Sequence, residues 1–304
     1  MSRRGAALIA GAYEHPRREI PDRTIPQIHA EVALGALADA GLALADVDGY
    51  FCAGDAPGFG ALSMAEYLGL RLDHVDSTET GGSSYVVHVG HAAQAIAAGK
   101  CKVALITLAG NPRSGGWQQG ARGAFAAAPE ASFELPWGST MVAGYALAAA
   151  RHMHEFGTTS AQLAEIKVAA ASHAQHNPSA FLRTRSQSRR CSTRRWVSNP
   201  LHRLDCCVIT DGGGALLVVA PEVARDLARP CVKILGTGEA PKHADNGRID
   251  LTDTGAVWSG PTAFKEAGVT PSDTDYASIC DSFTITVLET IDASSSHAAT
   301  RAAR

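Results

Sequence analysis

The sequence has no Cys-x-x-Cys pair, no glycine fingerprint for a dinucleotide, no surplus of basic residues and no long signal-like run at its start. Each absence removes a class of function. The seven cysteines (Cys52, Cys101, Cys191, Cys206, Cys207, Cys231, Cys280) show no zinc spacing, and an odd count in an intracellular setting reads as reduced thiols in a cytoplasmic protein. The glycine clusters at 212–214 and 236–238 are spaced wrongly for a nucleotide fold. A net charge of -3 leaves no electrostatic footprint for nucleic acid. The apolar stretch after Arg3 and Arg4 is too short for a secretory signal. From Thr80 to Gly99 there is no Asp, Glu, Lys or Arg at all. That length approaches a membrane span, but His88, His91, Gln94 and several glycines argue for a helix buried on all sides instead of one that crosses a membrane.

What is present alternates between strand-like and helix-like patterns. AALIAGAY reads as a strand, and 25–40 as a helix with Ile25, Ile28, Val32, Ala36 and Ala40 on one face and Gly41 as its stop. VDGYFCAG reads as a strand, SMAEYLGL as a short helix, and CKVALITLAG as a strand buried on both faces. This alternation predicts an α/β layered fold. Residues of about 110–200 interrupt it with a loop-rich insertion, a helix in GSTMVAGYALAAARHMHEFG, and a second helix opened by a Thr159/Gln162 capping box. Strands resume in LDCCVITDGGGALLVVA, where Cys206 and Cys207 read as packing residues, and in CVKILGTGEAP.

An internal repeat organises the chain. Ile9-x-Gly11-x-x-Glu14-x-Pro16 returns as Ile234-x-Gly236-x-x-Glu239-x-Pro241, an offset of 225. Ala36, Ala40, Gly41, Asp46 and Asp48 return as Ala263, Ala267, Gly268, Asp273 and Asp275, an offset of 227. Two copies of one strand–helix–strand unit follow, the first copy carrying the insertion.

These stretches together resemble the thiolase superfamily, and most closely its sterol-carrier-protein-X type thiolases and thiolase-like lyases. SSYVVHVGHAAQAIAAGKCKVALITLAG is similar to the nucleophile helix and the strand after it. FGTTSAQLAEI is similar to the loop domain, PLHRLDCCVITDGGGALLVV to the end of the first half, and CDSFTITVLETI to the segment that reads Tyr-Asp-Ser-Phe-Thr in the lyases. The resemblance implies a five-layer αβαβα fold of two similar halves, here 1–230 (with a loop domain at about 110–200) and an incomplete 231–304. It implies a coenzyme A ester as substrate and no bound cofactor. It also implies a homodimer paired through about HVDSTET, and the lyase branch brings a zinc-ribbon/OB-fold protein as a possible partner. Acyl-CoA is the expected ligand; nucleic acid and a membrane span are not expected.

The departures from the family pattern shape the function. The ungapped match puts Gly82 where thiolases hold the nucleophilic cysteine, and glycine cannot attack a thioester. Ser83 is adjacent, but a serine nucleophile needs a base within hydrogen-bond reach. Gly81–Ser84 therefore either cap a packed helix or form a helix N-terminus that binds a thioester oxygen or enolate without a covalent step. Cys280 stands where the lyase branch has tyrosine and reads as a titrating thiol or as a buried packing thiol. Asp281 reads as a hydrogen-bonding support for its neighbours. Trp117, Arg122 and Trp137 are candidates for touching CoA or its acyl chain. The six arginines of 183–195 read as a solvated loop, as a grip on CoA phosphates or, best, as out-of-frame text, like ASSSHAATRAAR at the end.

The expected activity is a carbon–carbon lyase of retro-aldol type, or an acyltransferase related to acetyl-CoA acetyltransferase, in steroid, lipid or acyl-CoA metabolism. The alternative is a non-catalytic thiolase-fold subunit that binds CoA esters or a partner. With a repeat offset of about 226, the counterpart of 79–108 would fall near 305–334, so the second half is expected to be unfinished and activity impaired.

Overall fold

The structure, a computed structural model, describes residues 4–115, 131–185, 187, 195–243 and 248–294. Trp117, Arg122, Cys191, most of the arginine-rich stretch and the final serine/alanine-rich segment lie outside the described residues. The chain forms two compact units. The first holds 1–115, 210–241 and 258–273, and the second 116–209, 242–257 and 274–304.

The first unit is built on a six-stranded sheet. Its strands are β1 (Leu8–Glu14), β2 (Gly49–Phe51), β3 (His74–Asp76), β4 (Val103–Gly110), β7 (Gly212–Val219) and β8 (Val232–Lys233), in the order β3-β2-β4-β7-β1-β8. Strand β2 runs parallel to β3 and β4, while β7 is antiparallel to both β4 and β1. Strand β4 reads as a continuous apolar run because both its faces are covered. Helix α1 (Ile25–Ala40) packs Val32, Ala33 and Ala36 on Leu105 and Leu217. Helix α3 (Ser84–Ala97) packs Ala92, Ala93 and Ile96 on Ala104, Ile106 and Val218 of the other face. Helix α1 starts at a capping box between Thr24 and Gln27 and stops at Gly41, whose φ of 74° needs glycine. Between β2 and β3 lies α2 (Ala61–Leu68).

The repeat seen in the sequence is a repeat of packing. Gly11 leaves no room for a Cβ against the Ala36 carbonyl and Ala40 Cβ (3.0 Å); Gly236 leaves none against the Ala263 carbonyl and Ala267 Cβ (3.0 Å). The Ala12 N–H donates to Asp39 Oδ2 at 2.9 Å, and the Thr237 N–H to Glu266 Oε2 at 2.8 Å. After each helix, one aspartate folds the same turn. The Ala43 N–H donates to Asp46 and the Thr270 N–H to Asp273, both at 2.8 Å. The second helix of the pair runs Ala256–Ala267. Across α3, Thr237 lies against Gly90, 3.3 Å from where a Cβ would stand. The first unit therefore stacks α1, the sheet, α3, the segment 234–239 and that second helix, the order of the expected αβαβα layers with one segment in the place of the second sheet.

Two sequence expectations about the first unit need correcting. Past β8, residues 234–241 form no strand, because they have no neighbouring strand to pair with among the described residues. The layer opposite α3 is thus a single extended segment and not a sheet, so α3 is not buried on all sides. Val86 is 76% exposed, and Gln94 and Ala97 are also exposed.

In the second unit, α4 (Met141–Phe156) and α5 (Ser160–Ala174) pack with α8 (Thr284–Ser294) around Val142, Ala146, Ala149, Leu163, Leu201, Phe283 and Ile285. The Thr159/Gln162 capping box is present, with Thr159 Oγ1 accepting from the Gln162 N–H at 3.3 Å. Strands β5 (Trp196–Ser198) and β6 (Leu201–His202) form a two-stranded ribbon. The expected strand through Cys206 and Cys207 is absent. Arg203–Asp205 make a 3-10 turn, and Cys206 instead forms an isolated bridge with Phe283.

Candidate active site at the start of helix α3

The chargeless helix begins in a knot of small polar residues. Gly81 has φ 70°, a left-handed turn that glycine makes at no steric cost. The buried Ser84 hydroxyl donates to the Gly81 carbonyl at 2.7 Å and accepts from the Thr80 N–H at 2.8 Å. Glu79 accepts from the Gly81 N–H at 2.6 Å and from the Gly54 N–H of the β2 loop. Gly82 is exposed, and a Cβ there would meet no atom within 4 Å, so packing does not demand glycine at this position. The Ser83 hydroxyl donates to the Thr80 carbonyl at 3.0 Å and lies 3.3 Å from the Thr80 hydroxyl. Neither partner is a base, so among the described residues Ser83 has no activating group.

One turn along, a buried polar chain reaches the helix. The Tyr85 phenol donates to Asp55 Oδ1 in the loop after β2. Asp55 Oδ2 accepts from the Ala109 N–H at 2.7 Å and lies 3.2 Å from His29 Nε2. His29, fully buried on α1, meets the Thr107 hydroxyl at 2.9 Å through Nδ1, and Thr107 meets the Tyr50 phenol at 2.7 Å. Burial works to raise the Asp55 carboxyl, but the close His29 ring and the bonds from the Ala109 N–H and Tyr85 outweigh it and hold the group below its usual range as a carboxylate. Burial, with the neighbouring Asp55 charge, pushes the Tyr85 phenol up. Tyr85 also lines an apolar cleft of about 370 Å³ on the β1–β7–β4 face, with Ala12, Ile106, Leu108 and Leu216.

A second cleft, of about 950 Å³, runs along the exposed side of α3 against 233–239. Here His91 Nδ1 pairs with Asp76 Oδ2 at 2.7 Å and Nε2 lies 3.3 Å from Glu239. Burial opposes charging His91, but the two carboxylates raise it overall. His88 is fully buried beside Phe51 and Tyr85, with Nε2 3.0 Å from the Thr78 carbonyl; burial lowers it and keeps it neutral. His88 is thus a core residue as the sequence implied, whereas His91 is a half-exposed ion-pair partner.

The structure brings Gly82 and Ser83 together in the first unit and places Cys280 and Asp281 in the second. Cys280 is exposed, which corrects its reading as a buried packing thiol; the chain around it is pinned by the Cys207 N–H donating to the Ser282 carbonyl at 3.0 Å. Asp281 is exposed and hydrogen-bonds to no described residue, so it does not support its neighbours in that way. Trp137 is exposed. Among the described residues no cluster of His, Cys, Asp and Glu is arranged to hold a metal ion. Sequence reasoning missed Asp55, Tyr85 and His29. The available signals were an aspartate in the glycine- and alanine-rich turn that ends a buried strand, and a histidine between Ile28 and Val32 on the apolar face of α1.

Residues 238–301 match the family described as thiolase C-terminal domain-like. The steroid side-chain-cleaving aldolase of Thermomonospora curvata is 34% identical over 304 residues, covering 95% of this chain and 77% of the relative. The 17-hydroxy-3-oxo-4-pregnene-20-carboxyl-CoA lyase of Mycobacterium tuberculosis is 33% identical over 296 residues, covering 92% of this chain and 76% of the relative. The solved Ltp2-ChsH2(DUF35) aldolase superposes with a TM-score of 0.86 at 33% identity, covering 95% of this chain and 77% of that chain. Similar over nearly its whole length to these proteins at 33–34% identity, this chain belongs to the thiolase superfamily, in the branch of thiolase-like aldolases and lyases.

Proposed function

We propose that this chain is a thiolase-fold lyase that breaks a carbon–carbon bond of a β-hydroxyacyl-CoA by a retro-aldol step, without an acyl-enzyme. The observation that carries the reading is Gly82. In the ungapped match it falls at the family's nucleophile position; it stands in open space, beside a serine to which no base hydrogen-bonds among the described residues. A retro-aldol step needs no nucleophile, only removal of the hydroxyl proton and stabilisation of the enolate. The N-terminus of α3, a 14-residue helix with no acidic residue in its first turn, presents the positive end of its dipole to such an oxygen. Two similar proteins are named for carbon–carbon cleavage of steroid side chains or of a steroid carboxyl-CoA, which supports a steroid thioester as substrate.

The same reading includes a division near residue 230 into two thiolase halves, supported by the matched packing of Gly11 and Gly236. It includes a homodimer through β3, which is an edge strand with Val75 half exposed. It also includes a zinc-ribbon/OB-fold partner, supported by the two components in the name of the similar solved aldolase. A cytoplasmic location fits the reduced-thiol reading, and no helix among the described residues is long and apolar enough to cross a membrane.

Incubation with 17-hydroxy-3-oxo-4-pregnene-20-carboxyl-CoA, alone and with a candidate partner, is expected to release a 17-ketosteroid and propionyl-CoA in equal amounts. Binding without cleavage in both arms would turn the assignment to the non-catalytic subunit. With acetoacetyl-CoA and free CoA the expected result is no acetyl-CoA and no mass adduct. A covalent acyl group trapped on Ser83 or Cys280 would overturn the non-covalent step.

A further inference from the structure

Cys280 stands where the resemblance puts a tyrosine in the lyase branch, so the proton of the substrate hydroxyl needs another acceptor. We propose that Tyr85 and Asp55 form a proton relay at the apolar cleft. Tyr85 is the catalytic residue that takes the hydroxyl proton, and Asp55 is the group that positions Tyr85 and receives the phenol's own proton. This inference rests on the lyase reading above.

The geometry is specific. Tyr85 lies in the first turn of α3, so its ring projects from the same turn that presents the helix N-terminus. It lines the 370 Å³ cleft, whose walls include the apolar Ala12, Ile106, Leu108 and Leu216 beside Glu14 and Thr107, a size and mainly apolar lining suited to a small apolar body. The phenol spends its hydrogen on Asp55, which leaves its oxygen lone pairs to accept a hydroxyl proton. Asp55 Oδ2 is occupied by the Ala109 N–H and faces His29, whereas Oδ1 serves Tyr85. His29 is fixed in turn by Thr107, and Thr107 by Tyr50, so the carboxylate cannot swing away. A carboxylate with a side chain only 16% exposed costs stability unless its bonds compensate, and a packing role alone would be served by an apolar residue.

The electrons and protons balance. The C–C bond breaks and its pair moves onto the thioester carbonyl as an enolate. The hydroxyl O–H pair becomes the ketone C=O. The hydroxyl proton passes to the Tyr85 oxygen while the Tyr85 proton passes to Asp55 Oδ1. The return of that proton through Tyr85 to the enolate carbon gives the shortened acyl-CoA and restores the carboxylate. The titratable groups facing the pair are His29, His88, Cys52, Tyr50 and Glu79, and Tyr13 and Glu14 line the same cleft.

The test follows ketone release from the steroid thioester by wild type, Tyr85→Phe and Asp55→Asn across pH, with thermal melts as the folding control. Tyr85→Phe is expected to lower kcat by about 100-fold or more with KM little changed. Wild-type kcat is expected to fall in acid as Asp55 protonates, and Asp55→Asn is expected to lose that acid limb as well as at least about tenfold in kcat. A purely structural role would shift the melt and leave the limb in place. If wild type turns over and Tyr85→Phe keeps kcat within about threefold, the relay is overturned and the lyase reading stands. If Tyr85→Phe does not fold, the acid limb of Asp55→Asn decides. If wild type releases no ketone, the lyase reading and the relay fall together.

Discussion

Glu289→Gln is expected to stabilise the second unit strongly at pH 8 and hardly at all at pH 4. Glu289 sits on α8, 6% exposed, and its Oε1 is buried with no hydrogen-bond partner among the described residues. Burial pushes its carboxyl up to about 8; Lys242 pulls it down, but Asp253, Asp250 and Asp292 push it further up. Lys242 is already engaged by Asp253 and by the Asp250 and Asp253 carbonyls. Because the folded pKa is raised, the folded unit holds a proton that the unfolded chain releases above about pH 4.5. Stability therefore falls as pH rises from about 4.5 to about 8, by at most about 1.4 kcal/mol per pH unit, and the loss is complete above that window. The sum is roughly 3–5 kcal/mol, which the neutral amide removes. Melts of both proteins from pH 4 to 9 should start together and diverge to pH 8. Parallel curves would show that Glu289 ionises freely.

Gly11→Ala and Gly236→Ala are expected to destabilise the first unit by similar amounts, about 1–3 kcal/mol each or more. In each case the new Cβ enters the space of a helix carbonyl and crowds an alanine Cβ at 3.0 Å. The contact is to backbone, which cannot move aside as a flexible side chain can. The two penalties should be nearly additive, because each glycine packs on its own helix. Denaturant melts of the two single variants and the double variant measure this. A neutral Gly236→Ala beside a costly Gly11→Ala would mean that the second copy of the repeat is not packed like the first.

Much of this was legible because it is written in local chemistry. The Thr159/Gln162 box, the glycine stop at Gly41 and the apolar run of β4 each depend on a few neighbouring residues. The repeat was legible because Gly11 and Ala40 must be small together, and so must Gly236 and Ala267. The exposure of Val86 was not legible, since it depends on whether a sheet or a lone segment lies opposite. Nor was the strand expected at Cys206, whose small apolar residues suit a bridge to Phe283 as well as a ladder. Of the site, Gly82 and Ser83 were found by register against a family. The Asp55–Tyr85–His29 chain was not, because its members come from three segments that meet only in the folded sheet.

The strand order also sets a timetable for synthesis. Strand β7 lies between β4 and β1, and the Leu8↔Val219 pair joins residues about 210 positions apart. While the ribosome works through the insertion, β3, β2 and β4 can assemble, but β1 has neither neighbour, since β7 and β8 are both translated later. A nascent chain halted before residue 212 would carry two strands with unmatched edges, β4 on one side and β1 on both, each able to pair with the wrong strand. Arrest of translation just before and just after β7 should therefore divide chains that aggregate from chains that close their sheet.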